Sequence, residues 1–399
     1  MINSDKKYFG GIISTDCSAK AIGMLSFNAS KLGEIDIAKY GQLLEESKQF
    51  WKSGPQTEIM NRLLRAFARV SNGLELESSD YIPEAHELSR ISRLSISEFP
   101  RYCEYRYWYN LKEGLEPRAF PACLNIEVTS VCNYRCVMCY QIDKEFTKKS
   151  NGYMGSMNFE LFKRIIDDAE GNVEAVTIAS RGEPLLCKNL QQMLDYCGNK
   201  FLDLKLNTNA SLLTAEKSRM LLGSGINTLV FSIDSADPQT YEKIRVNGSF
   251  DKVKANLETF EEIRRNEFPN KNLGVRLSGV KLNDSQTHDK LVEIFGSSVD
   301  EVALVPYQPW ERAYDNLTSY NQTQPCSEMY RNMYIWWDGK VNPCDFDYKS
   351  TLSVGAIDVR GDENQIAAIW SNSKYQELRE THLARKRRSI SICSACPLE

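Results

Sequence analysis

Three cysteines in Cys132-Asn-Tyr-Arg-Cys136-Val-Met-Cys139 stand at C-x3-C-x2-C spacing in one loop. Thiolates are the usual protein ligands of iron–sulfur clusters, and three of them leave one metal position without a side chain. A [4Fe-4S] cluster held this way keeps its fourth iron open to another molecule, which separates a chemical site from a closed structural one. The alternative is a zinc knuckle, but zinc takes four protein ligands and none of the three histidines lies near this loop. Four more thiols follow towards the end of the chain, as Cys326-x17-Cys344 and then Cys393-x2-Cys396. Four thiolates close a site completely, and by themselves they favour a structural zinc ion over a second cluster.

Twelve cysteines in a small secreted domain would suggest disulfides. Here the chain is long, no basic-then-apolar signal pattern opens it, and the cysteines cluster, which points to metal binding in a reducing compartment. Cys17, Cys103, Cys123, Cys187 and Cys197 fall outside both sets and are expected as small buried hydrophobes. With 49 basic and 53 acidic residues the net charge is −4, which gives no general reason to expect nucleic acid as a partner. No run approaches the roughly 18 apolar residues of a membrane span. A soluble cytoplasmic protein is the expectation, and its 399 residues call for two or three domains.

The elements that must position these thiols begin at about residue 120. Short β-rich runs at Leu124–Thr129, Glu174–Ala179, Leu202–Asn207, Thr228–Ile233, Gly274–Val280 and Glu301–Val305 alternate with helical patterns. Asn158 is a candidate N-cap with Met157 and Phe162 as a hydrophobic staple, Thr214 caps a second helix, and Val253, Leu257, Phe260 and Ile263 mark the inner face of a third. Such alternation implies parallel strands with right-handed crossovers. Residues 1–119 differ: Tyr8–Ser14 reads as a strand, and Leu43–Phe50 and Ile59–Val70 have helical spacing with Gly73 as a stop. Six aromatics between Phe99 and Tyr109 read as packing between domains, with a sugar or peptide platform as the alternative. Gly114, Pro117 and Pro121 then mark a boundary.

The cysteine spacing, the apolar Met138 before the third cysteine and the aromatic Tyr140 after it resemble the signature of the radical S-adenosylmethionine (radical SAM) superfamily. In that family the open iron is chelated by the amino and carboxylate groups of SAM. The six βα units resemble its partial (β/α)6 TIM-like barrel, with the cysteine loop at the C-terminal end of the first strand, where barrels carry their chemistry. Ser180-Arg-Gly-Glu-Pro184 resembles the family's Gly-Gly-Glu-Pro motif, whose backbone and acid bind the methionine amino group; Gly182 and Glu183 keep the pattern, and Arg181 replaces the first glycine. Ser232 lies where relatives contact the ribose, and Arg245 where they pair with the SAM carboxylate, which a guanidinium matches in bidentate fashion. Asn207 and Asn209 are further polar candidates. The resemblance thus implies Tyr140, Gly182, Glu183, Asn209, Ser232 and Arg245 as SAM-binding residues.

Past Val305 the alternation ends. Asn332–Trp337 and Lys340–Cys344 flank Asp338-Gly339, a strong hairpin signal. With Gly339-x4-Cys344 and the four late cysteines, this region resembles the SPASM/twitch extension of radical SAM enzymes, in a shortened form with one auxiliary cluster. Read beside the first motif, iron–sulfur is preferred there over zinc. The basic run Arg385-Lys-Arg-Arg388 is expected as solvated charge, with an anionic substrate as the alternative. The expected architecture is α/β: a mainly helical domain over 1–119, the partial barrel over 120–309 and a small α+β twitch/SPASM-like extension over 310–399.

The resemblance implies an enzyme that reductively cleaves SAM to a 5′-deoxyadenosyl radical, which removes a hydrogen atom from a substrate carbon. The cofactors it implies are SAM, a SAM-binding [4Fe-4S] cluster and a second, auxiliary [4Fe-4S] cluster. A flavodoxin or ferredoxin would supply the electron. A four-cysteine auxiliary cluster has no iron free for substrate, so electron transfer is its natural task and the expected outcome is net oxidation of a small polyol, sugar-like or peptide substrate. Two alternatives stand beside this one: a maturase that cross-links or epimerises a ribosomally made peptide, and a non-enzymatic metal-stabilised binding module. No general base is named by the sequence.

Overall fold

The computed structural model describes residues 37–77, 80–111, 115–315 and 320–398. The Tyr8–Ser14 run, Cys17 and Gly114 lie outside them. The chain divides into two compact units, Met1–Glu113 and Gly114–Glu399.

In the first unit the described residues form helices Ile37–Glu46, Pro55–Ser71, Ala85–Ile91 and Phe99–Asn110. Pro55 starts the second helix, where its missing N–H costs nothing, and Ile59, Met60, Leu63, Ala66 and Phe67 bury one face at helical spacing. Gly73 follows with φ +68°, a left-handed conformation that glycine adopts without strain. The aromatic run is itself a helix, with Phe99, Tyr102 and Tyr105 buried within this unit and Arg106 ion-paired to Glu87.

The second unit is built on one sheet of nine strands: β1 Cys123–Ile126, β2 Ala175–Ile178, β3 Asp203–Thr208, β4 Thr228–Ser232, β5 Gly274–Lys281, β6 Glu301–Pro306, β7 Asn332–Ile335, β8 Lys340–Asn342 and β9 Gly355–Ala356. Their order is β6-β5-β4-β3-β2-β1-β7-β8-β9, with β1 to β6 parallel to their neighbours. Strand alternation decides what each face carries. In β3, Leu204 and Leu206 are buried in the core between sheet and helices, whereas Lys205 and Asn207 point the other way and line a cavity. A full TIM barrel fills its interior with branched apolar side chains, and this open barrel lines it with Asn125, Thr177, Lys205 and Asn207.

The helix caps form as the sequence implies. Asn158 accepts from Leu161 N–H and Thr214 from Lys217 N–H, and Val253, Leu257, Phe260 and Ile263 are buried. β1 stops at Ile126, sooner than the apolar alternation suggests, because Val128 and Thr129 turn to pair with Met157 and Ser156. The hairpin forms at Asp338-Gly339, with Gly339 at φ +85°. Its first strand also does something that no local pattern announces. β7 pairs in parallel with β1, Leu124 opposite Met333, so the C-terminal hairpin extends the barrel sheet.

Candidate active site

The cysteine loop leaves the C-terminal end of β1 and is pinned from several sides. Arg135 N–H donates to Val246 O and Val137 N–H to Ile244 O, both at 3.0 Å. Asn133 Nδ2 donates to Ser211 Oγ (2.8 Å), and Asn209 Nδ2 donates to Asn133 Oδ1 (3.0 Å). The loop after β2 lies flat against it: Glu183 N–H donates to Val131 O, and a Cβ on Gly182 would sit 2.2 Å from Thr129 O. Only glycine permits that approach.

Cys132, Cys136 and Cys139 border a cavity of about 400 Å³ together with Tyr140, Gly182, Glu183, Asn207, Asn209, Ser232 and Arg245. Every SAM-binding candidate therefore lies around one space. Burial pushes the Cys132 thiol up to about 12 and raises Cys136 and Cys139 as well, so loading a metal centre must displace protons. Glu183 is fully engaged with its own scaffold: its carboxylate accepts from Leu185 N–H, Thr208 Oγ1 and Asn209 N–H, locking the loops after β2 and β3 together. Arg245 is gripped by Asp234 in a buried pair, Nε to Oδ2 at 2.5 Å and Nη2 to Oδ1 at 3.0 Å. Burial opposes its charge, and Asp234 and then Cys136 outweigh that, so its pKa is raised. Tyr140 stacks on Tyr348 with ring centroids 4.8 Å apart.

Arg181, the departure from the glycine pattern, is explained by the C-terminal region. Its guanidinium makes two 2.6 Å hydrogen bonds to Glu127, donates to Tyr348 O at 2.7 Å and lies 4.2 Å over the Trp336 ring. The side chain clamps the loop after β2 to the hairpin. Ser180 beside it has φ +119°, a conformation costing about 1–3 kcal/mol in a non-glycine residue.

Sequence reasoning missed Gln141, Trp310 and Asp345 and quoted Ser180 only as the start of its motif; all four line the cavity. Gln141 is 2 % exposed; its amide nitrogen donates to Ser130 O and Arg181 O, while its Oε1 has no partner. Ser180 Oγ and Asn207 Oδ1 are likewise unpartnered. A buried polar atom left unsatisfied costs about 1–3 kcal/mol, and a ligand rich in amino and hydroxyl donors would satisfy these three. The residues fit SAM. Asp345 follows Cys344 directly and Gln141 stands two residues after Cys139, a signal that closeness in sequence alone offered; Trp310 had none. Burial, and then Glu328, push the Asp345 carboxyl up to about 7.

The second set converges too. Cys326, Cys344, Cys393 and Cys396 line one cavity with Glu328, His382 and Arg387. Burial raises all four thiols. His382 Nδ1 accepts from Cys326 N–H, and His382 Nε2 and two Arg387 nitrogens have no partner. Among the described residues no three His, Cys, Asp or Glu side chains meet at a point suited to one metal ion. The cysteines of each set instead border a space, as a cluster with one iron per thiolate requires. Cys103, Cys123, Cys187 and Cys197 are buried and form no disulfide.

The two sites share a wall. Tyr140, Phe146, Phe346, Tyr348, Ile392 and Cys396 form one apolar cluster, against which Cys139, Cys344 and Cys393 also pack. Asp345, bonded to Cys344, lines the cavity of the first set. No helix among the described residues is long and apolar enough to cross a membrane.

Comparison with known proteins agrees with this anatomy. Residues 126–291 match the model of the radical SAM superfamily, and residues 326–397 that of the SPASM iron–sulfur cluster-binding domain. The tungsten-containing aldehyde ferredoxin oxidoreductase cofactor-modifying protein of Pyrococcus furiosus is 25% identical over 69% of this chain and 87% of its own length. Mycofactocin maturase MftC of Mycolicibacterium smegmatis is 23% identical over 61% of this chain, which spans 56% of the relative. The crystal structure of Streptococcus suis SuiB bound to precursor peptide SuiA shares the fold, with a TM-score of 0.51, 14% identity and coverage of 82% of each chain. The chain belongs to the radical SAM superfamily and carries a C-terminal SPASM domain, so that SAM and two [4Fe-4S] clusters are its cofactors.

Proposed function

We propose that this enzyme carries out a net two-electron oxidation of a small polyol or sugar-like substrate within the barrel, with the auxiliary centre as first electron acceptor. Cys132, Cys136 and Cys139 hold the SAM-binding cluster, and Tyr140, Gly182, Glu183, Asn209, Ser232 and Arg245 surround SAM. The 310–399 region holds the auxiliary cluster through Cys326, Cys344, Cys393 and Cys396. When loaded, the first cluster and SAM supply a hydrogen-abstracting radical. The chain's own residues do the rest. The pinned cysteine loop and the Glu183 lock fix the SAM pocket, and the Arg181–Glu127 clamp holds the auxiliary region against it. Polar Asn125, Thr177, Lys205 and Asn207 offer hydrogen bonds to a hydroxylated molecule.

The observation that carries this reading is the shared wall: the residue bonded to Cys344 lines the same cavity as the first three cysteines. A substrate in that cavity lies beside both centres. The substrate loses a hydrogen atom, then an electron to the auxiliary centre and a proton to solvent or a base, leaving a carbonyl-type product. The test is Cys326→Ala or Cys393→Ala in protein that keeps its first cluster. With a panel of polyols, aminosugars and nucleotide-linked sugars, 5′-deoxyadenosine still forms while oxidised product is lost. Full product yield in both variants refutes the acceptor role and favours a redox-neutral epimerisation or rearrangement.

The second reading is a ribosomally made peptide as substrate, favoured by the similarity to mycofactocin maturase. The N-terminal segment 1–119 would then grip a leader. A short precursor gene beside this one, and 5′-deoxyadenosine formation dependent on its product, would select that reading. A flavodoxin or ferredoxin is the proposed electron donor in either case.

A further inference from the structure

Of the basic run Arg385-Lys386-Arg387-Arg388, three side chains are solvated and one is not: Arg387 is 1 % exposed. It starts a short 3-10 turn, Arg387–Ser389, that leads into the helical turn Ser391–Ser394 carrying Cys393. The turn drives its side chain into the cavity lined by the four late cysteines. Nε and Nη1 have no hydrogen-bond partner, and among the described residues no carboxylate pairs with Arg387. Glu328, the carboxylate of that cavity, is spent on Arg331, Asn332 and Tyr334.

We propose that Arg387 sets the electron affinity of the auxiliary centre, as a fixed buried cation that donates hydrogen bonds towards the cluster's sulfurs. Burying a guanidinium without a counter-charge is strongly unfavourable, so the arrangement calls for an anion in the cavity. A [4Fe-4S] cluster on four thiolates is that anion, and it gains one negative charge on reduction. Attraction to a fixed cation, like N–H···S hydrogen bonding, is therefore stronger in the reduced state and raises the potential. Arginine stays charged at any working pH. At the first site Arg245 also stands beside a cysteine, but Asp234 cancels its charge. Arg135 also lies near Cys132, but it is partly exposed, bonds the carbonyls of Cys132 and Tyr134 and does not line the first cavity, whereas Arg387 is buried in the cavity of the four late thiols, which makes the auxiliary centre the stronger acceptor. The proposal deepens the oxidation reading by naming what drives the electron away from the substrate radical.

The test uses the full chain with Cys132, Cys136 and Cys139 replaced by alanine and loaded anaerobically with iron and sulfide, so that a redox titration followed by EPR sees the auxiliary cluster alone. Arg387→Met lowers the equilibrium constant for reduction at least tenfold, about 59 mV for one electron, while Arg387→Lys stays within threefold. An Arg387→Met variant with parental iron content and an unmoved midpoint overturns the proposal. If Arg387→Met takes up no iron, Arg387→Lys decides: a loaded variant within threefold supports the charge role, and a tenfold fall overturns it. Loss of iron from both variants overturns it too, since Arg387 would then be a folding residue. A redox-neutral product with the Arg387→Met shift intact would sink the oxidation reading and leave this one standing.

Discussion

The two cysteine sites of this enzyme each set an arginine beside their thiols and treat its charge in opposite ways. At the first, Arg245 is locked to Asp234, and Asp234 is itself fixed by Val280 N–H, so the pair is close to neutral and the pocket keeps its polar atoms for SAM. At the second, Arg387 meets no carboxylate among the described residues. On the proposed reading, the first pocket offers SAM shape and fixed donors, whereas the second offers an incoming electron a buried positive charge. The same side-chain type would serve both, and the aspartate beside one of them marks the difference.

The largest effect comes from removing the first site altogether. Replacing Cys132, Cys136 and Cys139 by alanine should abolish SAM cleavage and reduce the iron content from about eight to about four per chain, the rest remaining with the four late cysteines. About four irons with one equivalent of zinc in the parent protein, and no iron in the variant, would contradict a second cluster.

Asp234→Asn breaks the comparison from the other side, because it exposes the Arg245 charge. Removing one member of a buried pair costs about 3–5 kcal/mol, read as a lower urea midpoint, and the midpoint potential of the first cluster should rise towards that of the auxiliary one. An unchanged potential would mean that Asp234 does not screen Arg245.

Arg245→Ala addresses binding. If the nitrogens that Asp234 leaves over meet the SAM carboxylate, affinity for SAM falls by about 1.5–3 kcal/mol with iron content unchanged, measured by equilibrium dialysis. Unaltered affinity would remove Arg245 from the SAM pocket.

Gly182→Ala should have the smallest effect of the four. Its Cβ would press on Thr129 O and Val131 O, costing about 1–3 kcal/mol of stability and loosening the cysteine loop, with SAM binding weakened before thermal stability collapses.

Much of this was legible in the chain itself, for reasons of locality. Cys132, Cys136 and Cys139 lie within one loop, so their spacing fixes their chemistry. The six barrel strands and the caps at Asn158 and Thr214 follow from short-range alternation and from backbone N–H groups that need a nearby acceptor. The hairpin at Asp338-Gly339 is equally local. What the sequence by itself determined was which residues bear chemistry and which short elements carry them.

Tertiary structure alone decided how those pieces meet. The pairing of β7 with β1 joins residues far apart in sequence, and no periodicity encodes a partner strand; yet it puts Asp345 in the first cavity and both cysteine sets against one apolar wall. Arg181 looked like an intrusion into a glycine motif until Glu127, Tyr348 and Trp336 turned it into a clamp. Arg387 read as one solvated charge among four and is buried against the late cysteines. The physical reason is common to all three: what a charge does depends on its burial and its counter-ion, and both are supplied by residues that only the folded chain brings near.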